Sequence, residues 1–172
     1  AEVYMPGAET PVCDNTHFTS ILQSATLTSL KAAGVDLVII VVPDTVDVAT
    51  AWGAKKLAEA GLSHLMPNNL NELDVNQRLE LHPTMPRIIM MAEKDLARTN
   101  ELGLVKTDGG RLLLTNERAF TIYDRSGILK HLEKAPDAGL NNCIKYVTGD
   151  KILTKAQALN LAEQKVPQKA KL

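Results

Sequence analysis

The sequence predicts an α/β sandwich with helices flanking a mixed central sheet. Three features carry that expectation. A helix-period stripe of Phe18, Ile21, Leu22 and Ala25 is followed by the apolar, β-branched run Leu37 to Val42, the pattern of a strand buried on both faces. A second helix-then-strand pair runs from Thr45–Ala60 to Arg87–Met91. Later, Ala119–Tyr123 and Ile128–Leu132 flank Asp124-Arg125-Ser126-Gly127, which reads as an antiparallel hairpin.

Each element has its own start and stop signals. Pro6-Gly7 and Pro11 punctuate the N-terminal dozen residues, and Thr10 and Asp14 are both candidate caps for the first helix. Gly34 stops that helix, Pro43 ends the strand, and Gly61 closes the second helix. The stretch 63–86 holds Pro67, Asn68, Asn69, Pro83 and Pro86 and reads as a long insertion with one short helix. Lys94–Leu102 is a short helix stopped by Gly103, and Asp108-Gly109-Gly110 is a turn. A last helix, Thr154–Gln164, closes a single domain over 1–164, ahead of a basic tail over 165–172. The segment before Pro6 offers only Ala1–Met5, so the N-terminal strands are expected to be short or missing. The sheet is then expected to leave apolar surface for a partner or a second copy to cover.

Composition excludes several classes. The 172 residues are 45% hydrophobic and 23% charged, which supports a packed core and argues against disorder. A net charge of −1 lacks the electrostatic footprint of a duplex binder. Two Phe, three Tyr and one Trp make a poor base-stacking platform. The run Leu37 to Val42 is far short of the roughly 20 residues of a membrane span. The 2 cysteines form no CxxC pair, and His17, His64, His82 and His131 have no zinc-ligand spacing. Neither GxGxxG nor a Walker phosphate loop occurs.

The chemically informative segment is Pro6-Gly7-Ala8-Glu9-Thr10-Pro11-Val12-Cys13, just before the first helix. A thiol in the first turn of a helix meets the positive end of the macrodipole and unpaired N–H groups. Both favour the thiolate, the form that attacks electrophiles. Thr10 is placed to offer its hydroxyl beside that sulfur, and Pro6 and Pro11 stiffen the loop. Against this stands the ordinary role of a single Cys as a small buried hydrophobe.

The string Pro-x-x-x-Thr-x-x-Cys, here Pro6, Thr10 and Cys13, resembles the active-site signature of the peroxiredoxins. The fuller string, with His17 in place, is similar to the type II, atypical two-cysteine branch. The resemblance continues through Lys31-Ala32-Ala33-Gly34-Val35, Val42-Pro43-Asp44 and Trp52-Gly53. It extends to Glu117-Arg118-Ala119-Phe120 and to Pro136-Asp137-Ala138-Gly139-Leu140 with Cys143. It implies a thioredoxin-like sandwich and reduction of hydrogen peroxide or organic hydroperoxides, with no metal, flavin or nucleotide. It also implies roles: Cys13 as peroxidatic nucleophile passing through a sulfenic acid, Thr10 holding the peroxide, and Arg118 donating from its guanidinium. Cys143 would be the resolving thiol, His17 a supporting residue, and a thioredoxin- or glutaredoxin-type protein the reductant.

Glu9, the short N-terminal segment and the 63–86 insertion support an alternative, a non-catalytic subunit that keeps this fold inside a larger assembly. A third reading is a peroxide sensor that passes its oxidation to a partner. The expected setting is intracellular, cytoplasmic or mitochondrial. The ending Ala170-Lys171-Leu172 is similar to a peroxisomal Ser-Lys-Leu address.

Overall fold

A computed structural model of the chain describes residues 1–67, 80–109 and 111–134. Its first strand, β1 (Glu2–Tyr4), lies at the centre of a five-stranded sheet of order β3-β2-β1-β6-β7. β2 (Leu37–Val42) runs parallel to β1, with Glu2 opposite Ile39, and β3 (Arg87–Ala92) runs parallel to β2. β6 (Ala119–Tyr123) pairs antiparallel with β1, Tyr4 opposite Ala119, and β7 (Leu129–Lys134) closes the far edge as a hairpin with β6. A separate hairpin, β4 (Val105–Asp108) with β5 (Arg111–Asn116), stands apart from that sheet. The central place is therefore filled: three residues, all buried, serve as its strand, short as the sequence implied.

One helical layer covers a single face. Beyond Thr10 the chain enters a π-helical turn, Cys13–Phe18, which runs into one α-turn, Thr19–Ile21; together these are α1. α2 (Ser24–Ala32) and α3 (Val46–Glu59) follow. Val3, Met5, Ile40, Ile88 and Phe120 of the sheet pack against Phe18, Leu27, Trp52 and Leu57 of these helices. The opposite face gathers Tyr4, Val41, Leu104 and Ala119, near α4 (Ala97–Glu101). Among the described residues no helix is long and apolar enough to cross a membrane.

Several expectations need correction. The Phe18–Ala25 stripe is not one helix: it breaks at Gln23, whose ψ of 130° is extended, and Ala25 is exposed. The wide π turn delays the helical phase, so the chain restarts and buries Leu27 and Leu30 instead. Neither Thr10 nor Asp14 caps α1 through its side chain. α4 is shorter than the predicted Lys94–Leu102 because Asp95 turns the chain and Leu96 adopts a left-handed φ of 56° ahead of it. The β4–β5 hairpin was legible only as its Asp108-Gly109 turn.

Other stops fall where glycine predicts them. At Gly34 (φ 95°), Val35 donates to Leu30 O at 2.9 Å and Gly34 to Lys31 O at 2.9 Å, a Schellman closure. Gly61 (φ 70°) closes α3 in the same way, and Thr45 Oγ1 caps its other end from Val48 N at 3.4 Å. Among the described residues of 63–86, one turn of 3₁₀ helix, Ser63–Leu65, buries Leu65. The predicted helix Thr154–Gln164 and the tail lie outside the described residues.

Candidate active site

The loop between β1 and α1 is held at three backbone points. Thr115 Oγ1 donates to Pro6 O at 2.6 Å, Ala8 N donates to Asp44 Oδ2 at 2.7 Å, and Thr10 Oγ1 donates to Gly7 O at 3.2 Å. Glu9 between them takes a left-handed φ of 58°, a conformation costing about 1–2 kcal/mol that the flanking bonds sustain. Gly7 permits the close approach, because a Cβ there would lie 3.2 Å from Thr10 Cγ2.

Asp14 N donates to Thr10 O at 2.8 Å, so the first helical turn closes across Pro11, Val12 and Cys13. Pro11 opens it at a position where no N–H is needed. Cys13 stands in this turn, 1% exposed, at the edge of the main core. Glu9, Pro11 and Val12 before it are exposed, so the buried thiol directly follows a surface segment. Its backbone N–H belongs to the group of helix-start donors that lack intrahelical acceptors.

Asp14 points away from the loop toward α3. Trp52 Nε1 donates to Asp14 Oδ1 at 2.7 Å, and Lys56 Nζ lies 3.6 Å from Asp14 Oδ2. The Trp52 ring packs on Phe18, centroids 4.8 Å apart and tilted by 60°. Trp52 is thus a core residue with a polar handle on the residue after Cys13.

Arg118 immediately precedes Ala119, the partner of Tyr4 in the sheet. The register puts it beside Met5, where β1 gives way to the Pro6 loop, and alternation along β6 gives it the same side as Phe120 and the helical layer. It is half-buried, and among the described residues it makes no hydrogen bond or ion pair, with Glu117 or otherwise. His17 is buried one turn beyond Cys13 on α1. Cys143 lies outside the described residues. Among the described residues no three His, Cys, Asp or Glu side chains come together as a metal site.

Pro6, Thr10 and Cys13 thus follow the C-terminal end of β1 along the chain, and the β1–β6 register sets Arg118 beside that strand end. The hydroxyl of Thr10 donates to the loop, leaving its lone pairs for an incoming donor. Asp44, Thr115 and Lys56 escaped the sequence reading as site residues. Asp44 had one signal, its place just past the end of a parallel strand. Thr115 had none, because β5 itself was not foreseen.

A second polar cluster lies on the opposite face of the sheet. Buried Glu2 accepts from Tyr4 Oη at 2.9 Å and Thr121 Oγ1 at 3.1 Å and pairs with Arg98. Burial, then the Glu2 carboxylate, pushes the Tyr4 phenol well above its ordinary value.

No protein-family model matches this sequence, and no curated protein matches it. Solved structures do. Reduced Prx3 of Vibrio vulnificus in complex with hydrogen peroxide is 26% identical, with a TM-score of 0.53 over 79% of this chain and 66% of that one. Oxidised Prx3 of the same organism is 29% identical, with a TM-score of 0.51 over 77% of this chain and 66% of that one. Peroxiredoxin 6 of Arenicola marina is 18% identical, shares the fold at a TM-score of 0.57, and is covered over 62% of its length by 95% of this chain. The chain thus spans somewhat under two thirds of the length of each of these structures.

Proposed function

The chain is a peroxiredoxin-fold member of the thioredoxin-like superfamily, and on that premise we propose that it is a thiol-dependent peroxidase with Cys13 as its nucleophile. The observation that carries this reading is the placement of Cys13 in the first turn of α1, at the end of the central strand, with Thr10 and Arg118 beside the same strand end.

The proposed reaction begins at that thiol. The Cys13 thiolate attacks the terminal oxygen of a hydroperoxide; the S–O bond forms as the O–O bond breaks. The departing oxygen takes a proton and leaves as water or an alcohol, and Cys13 is left as a sulfenic acid. Negative charge grows on the departing oxygen during attack. The Arg118 guanidinium, with no carboxylate engaged among the described residues, is the cation available to stabilise it. Thr10 accepts a hydrogen bond from the peroxide O–H and holds it in line with the sulfur. Cys143 then attacks the sulfenic sulfur and releases water as the disulfide forms. A thioredoxin- or glutaredoxin-type dithiol reduces that disulfide and is itself oxidised.

The test is peroxide consumption by Cys13→Ser with a thiol reductant supplied. Activity is expected to vanish while the cooperative melt is retained, and wild-type protein treated with peroxide in the presence of a sulfenic-acid trap is expected to carry one covalent trap adduct, at Cys13. Undiminished consumption by Cys13→Ser would refute the enzyme reading. Peptide mapping after oxidation decides the resolving step: a Cys13–Cys143 link supports it, whereas mixed disulfides of Cys13 with added thiols mark a one-cysteine cycle.

A further inference from the structure

Asp14 directly follows Cys13, and both of its carboxylate oxygens are committed to α3: one accepts from the Trp52 indole at 2.7 Å, the other faces Lys56 at 3.6 Å. Residues 52 and 56 lie four apart on α3, so they share one helix face. That face grips the Cys13 turn from the core side, with Trp52 1% exposed and its ring against Phe18. The backbone of the same residue is also tied, since Thr19 Oγ1 donates to Asp14 O at 2.9 Å.

The grip matters because of the turn it holds. Cys13–Phe18 is a π-helical turn, a conformation with wide, poorly closed hydrogen bonding that occurs mostly as single turns. Such a turn contributes little stability by itself, so side-chain tethers decide how often it opens. Successive helical side chains diverge, and the Asp14 carboxylate engages α3 rather than the thiol. We infer that Asp14 is a positioning residue: through Trp52 and Lys56 it latches the Cys13 turn closed, fixing the thiol in its reactive place. The role deepens the thiol-peroxidase reading and rests on it for the rate measurement alone.

The molecule supplies a reporter for the latch, because Trp52 is its single tryptophan and its indole N–H makes the bond in question. Three measurements on the full chain test the inference: labelling of Cys13 by a maleimide, followed by peptide mass; tryptophan emission; and peroxide consumption. Asp14→Ala is expected to raise Cys13 labelling about tenfold, the scale of a lost charge-assisted hydrogen bond, to shift Trp52 emission, and to slow peroxide consumption by about as much. Trp52→Phe is expected to reproduce the faster labelling. Asp14→Asn keeps an acceptor for the indole and is expected to restore most of the wild-type behaviour in all three.

Leu27→Val, a core truncation on α2, is the control for general loosening of the fold. Labelling in Asp14→Ala no faster than in Leu27→Val, or an unmoved emission, would overturn the inference. If Asp14→Ala does not fold, the labelling rates of Trp52→Phe and Asp14→Asn decide in the same way. Failure of the peroxidase reading would show instead as activity retained by Cys13→Ser, and it leaves the labelling and emission results intact.

Discussion

Gly53 sits on α3 beside Trp52, and its missing side chain is what lets that helix lie against β3. A Cβ built there would fall 2.6 Å from Met90 Sδ and closer still to Met90 Cγ. Contacts that short do not persist, so Gly53→Ala must displace Met90 or lift the helix. Met90 is itself buried, and its Cγ lies near the backbone rather than at a free end, so rotation of the thioether alone gives no relief. Overpacking of this kind costs about 1–3 kcal/mol. Alanine regains about 1 kcal/mol of helix propensity over glycine. Because the clash falls on Met90 Cγ, the overpacking lies in the upper part of that range, about 2–3 kcal/mol, and the net expectation is a loss of about 1–2 kcal/mol. Urea unfolding of Gly53→Ala measures it as a lower midpoint at unchanged slope. The cause is then tested by Met90→Ala alone and in combination: the double variant is expected to be more stable than the sum of the single losses, since the smaller residue vacates the space the new methyl needs. A Gly53→Ala protein as stable as the wild type, or strictly additive losses, would refute the packing argument.

Three further outcomes follow from named contacts. Arg118→Lys is expected to lower the peroxide rate constant at least tenfold, about 1.4 kcal/mol, despite the retained charge, because an ammonium cannot replace the planar fork of donors; an unchanged rate would return Arg118 to a surface role. Asp44→Ala leaves the Ala8 N–H without its partner and is expected to cost about 1–2 kcal/mol of stability and to slow peroxide turnover, whereas Asp44→Asn, which keeps an acceptor, recovers most of both. Equal behaviour of the two variants would sink that account. Because the Tyr4 phenol is raised by burial and by Glu2, its contribution to stability is fully present below the unfolded phenol range, near pH 10, and is lost as pH climbs beyond it. Tyr4→Phe is therefore expected to flatten the alkaline fall in stability measured by denaturant unfolding at several pH values, and an unaltered slope would refute it.

Much of the fold could be read from local pattern. Leu37–Val42 is uniformly apolar because it is an interior strand, with β1 on one side and β3 on the other. Gly34, Gly61 and Gly103 mark stops because each takes a positive φ that other residues resist. The Pro6-to-Cys13 loop was legible because its residue types and spacing are themselves the chemistry. What escaped reading was set by phase and by distant partners. The π turn shifts the register of the first helix without any residue type announcing it, so the stripe appeared to run on to Ala25 when it breaks at Gln23. The contacts Asp44 to Ala8, Trp52 to Asp14 and Thr115 to Pro6 span 36, 38 and 109 residues, and no window of periodicity reaches across them.

The same limit explains why Glu2–Tyr4 did not read as the middle of a sheet. Three residues show no periodicity, and a glutamate at the centre of a sheet contradicts the apolar pattern of an interior strand. The carboxylate is tolerated because Tyr4, Thr121 and Arg98 bring donors to it from the same strand, β6 and α4, so neither of its oxygens is left without a partner. Val3 meanwhile turns to the other face and joins Cys13 in the main core. The strand is bonded on both edges, and Met5 N extends the pairing by donating to Val41 O at 2.9 Å. A short strand suffices at the centre because its neighbours, rather than its length, fix its position. That position sets where Pro6 leaves the sheet, and hence where the Cys13 turn meets Trp52 from α3. The placement of the thiol is thus a property of the whole sheet, and substitutions in the Glu2 cluster, on the face away from Cys13, act on the site only through the strand they share.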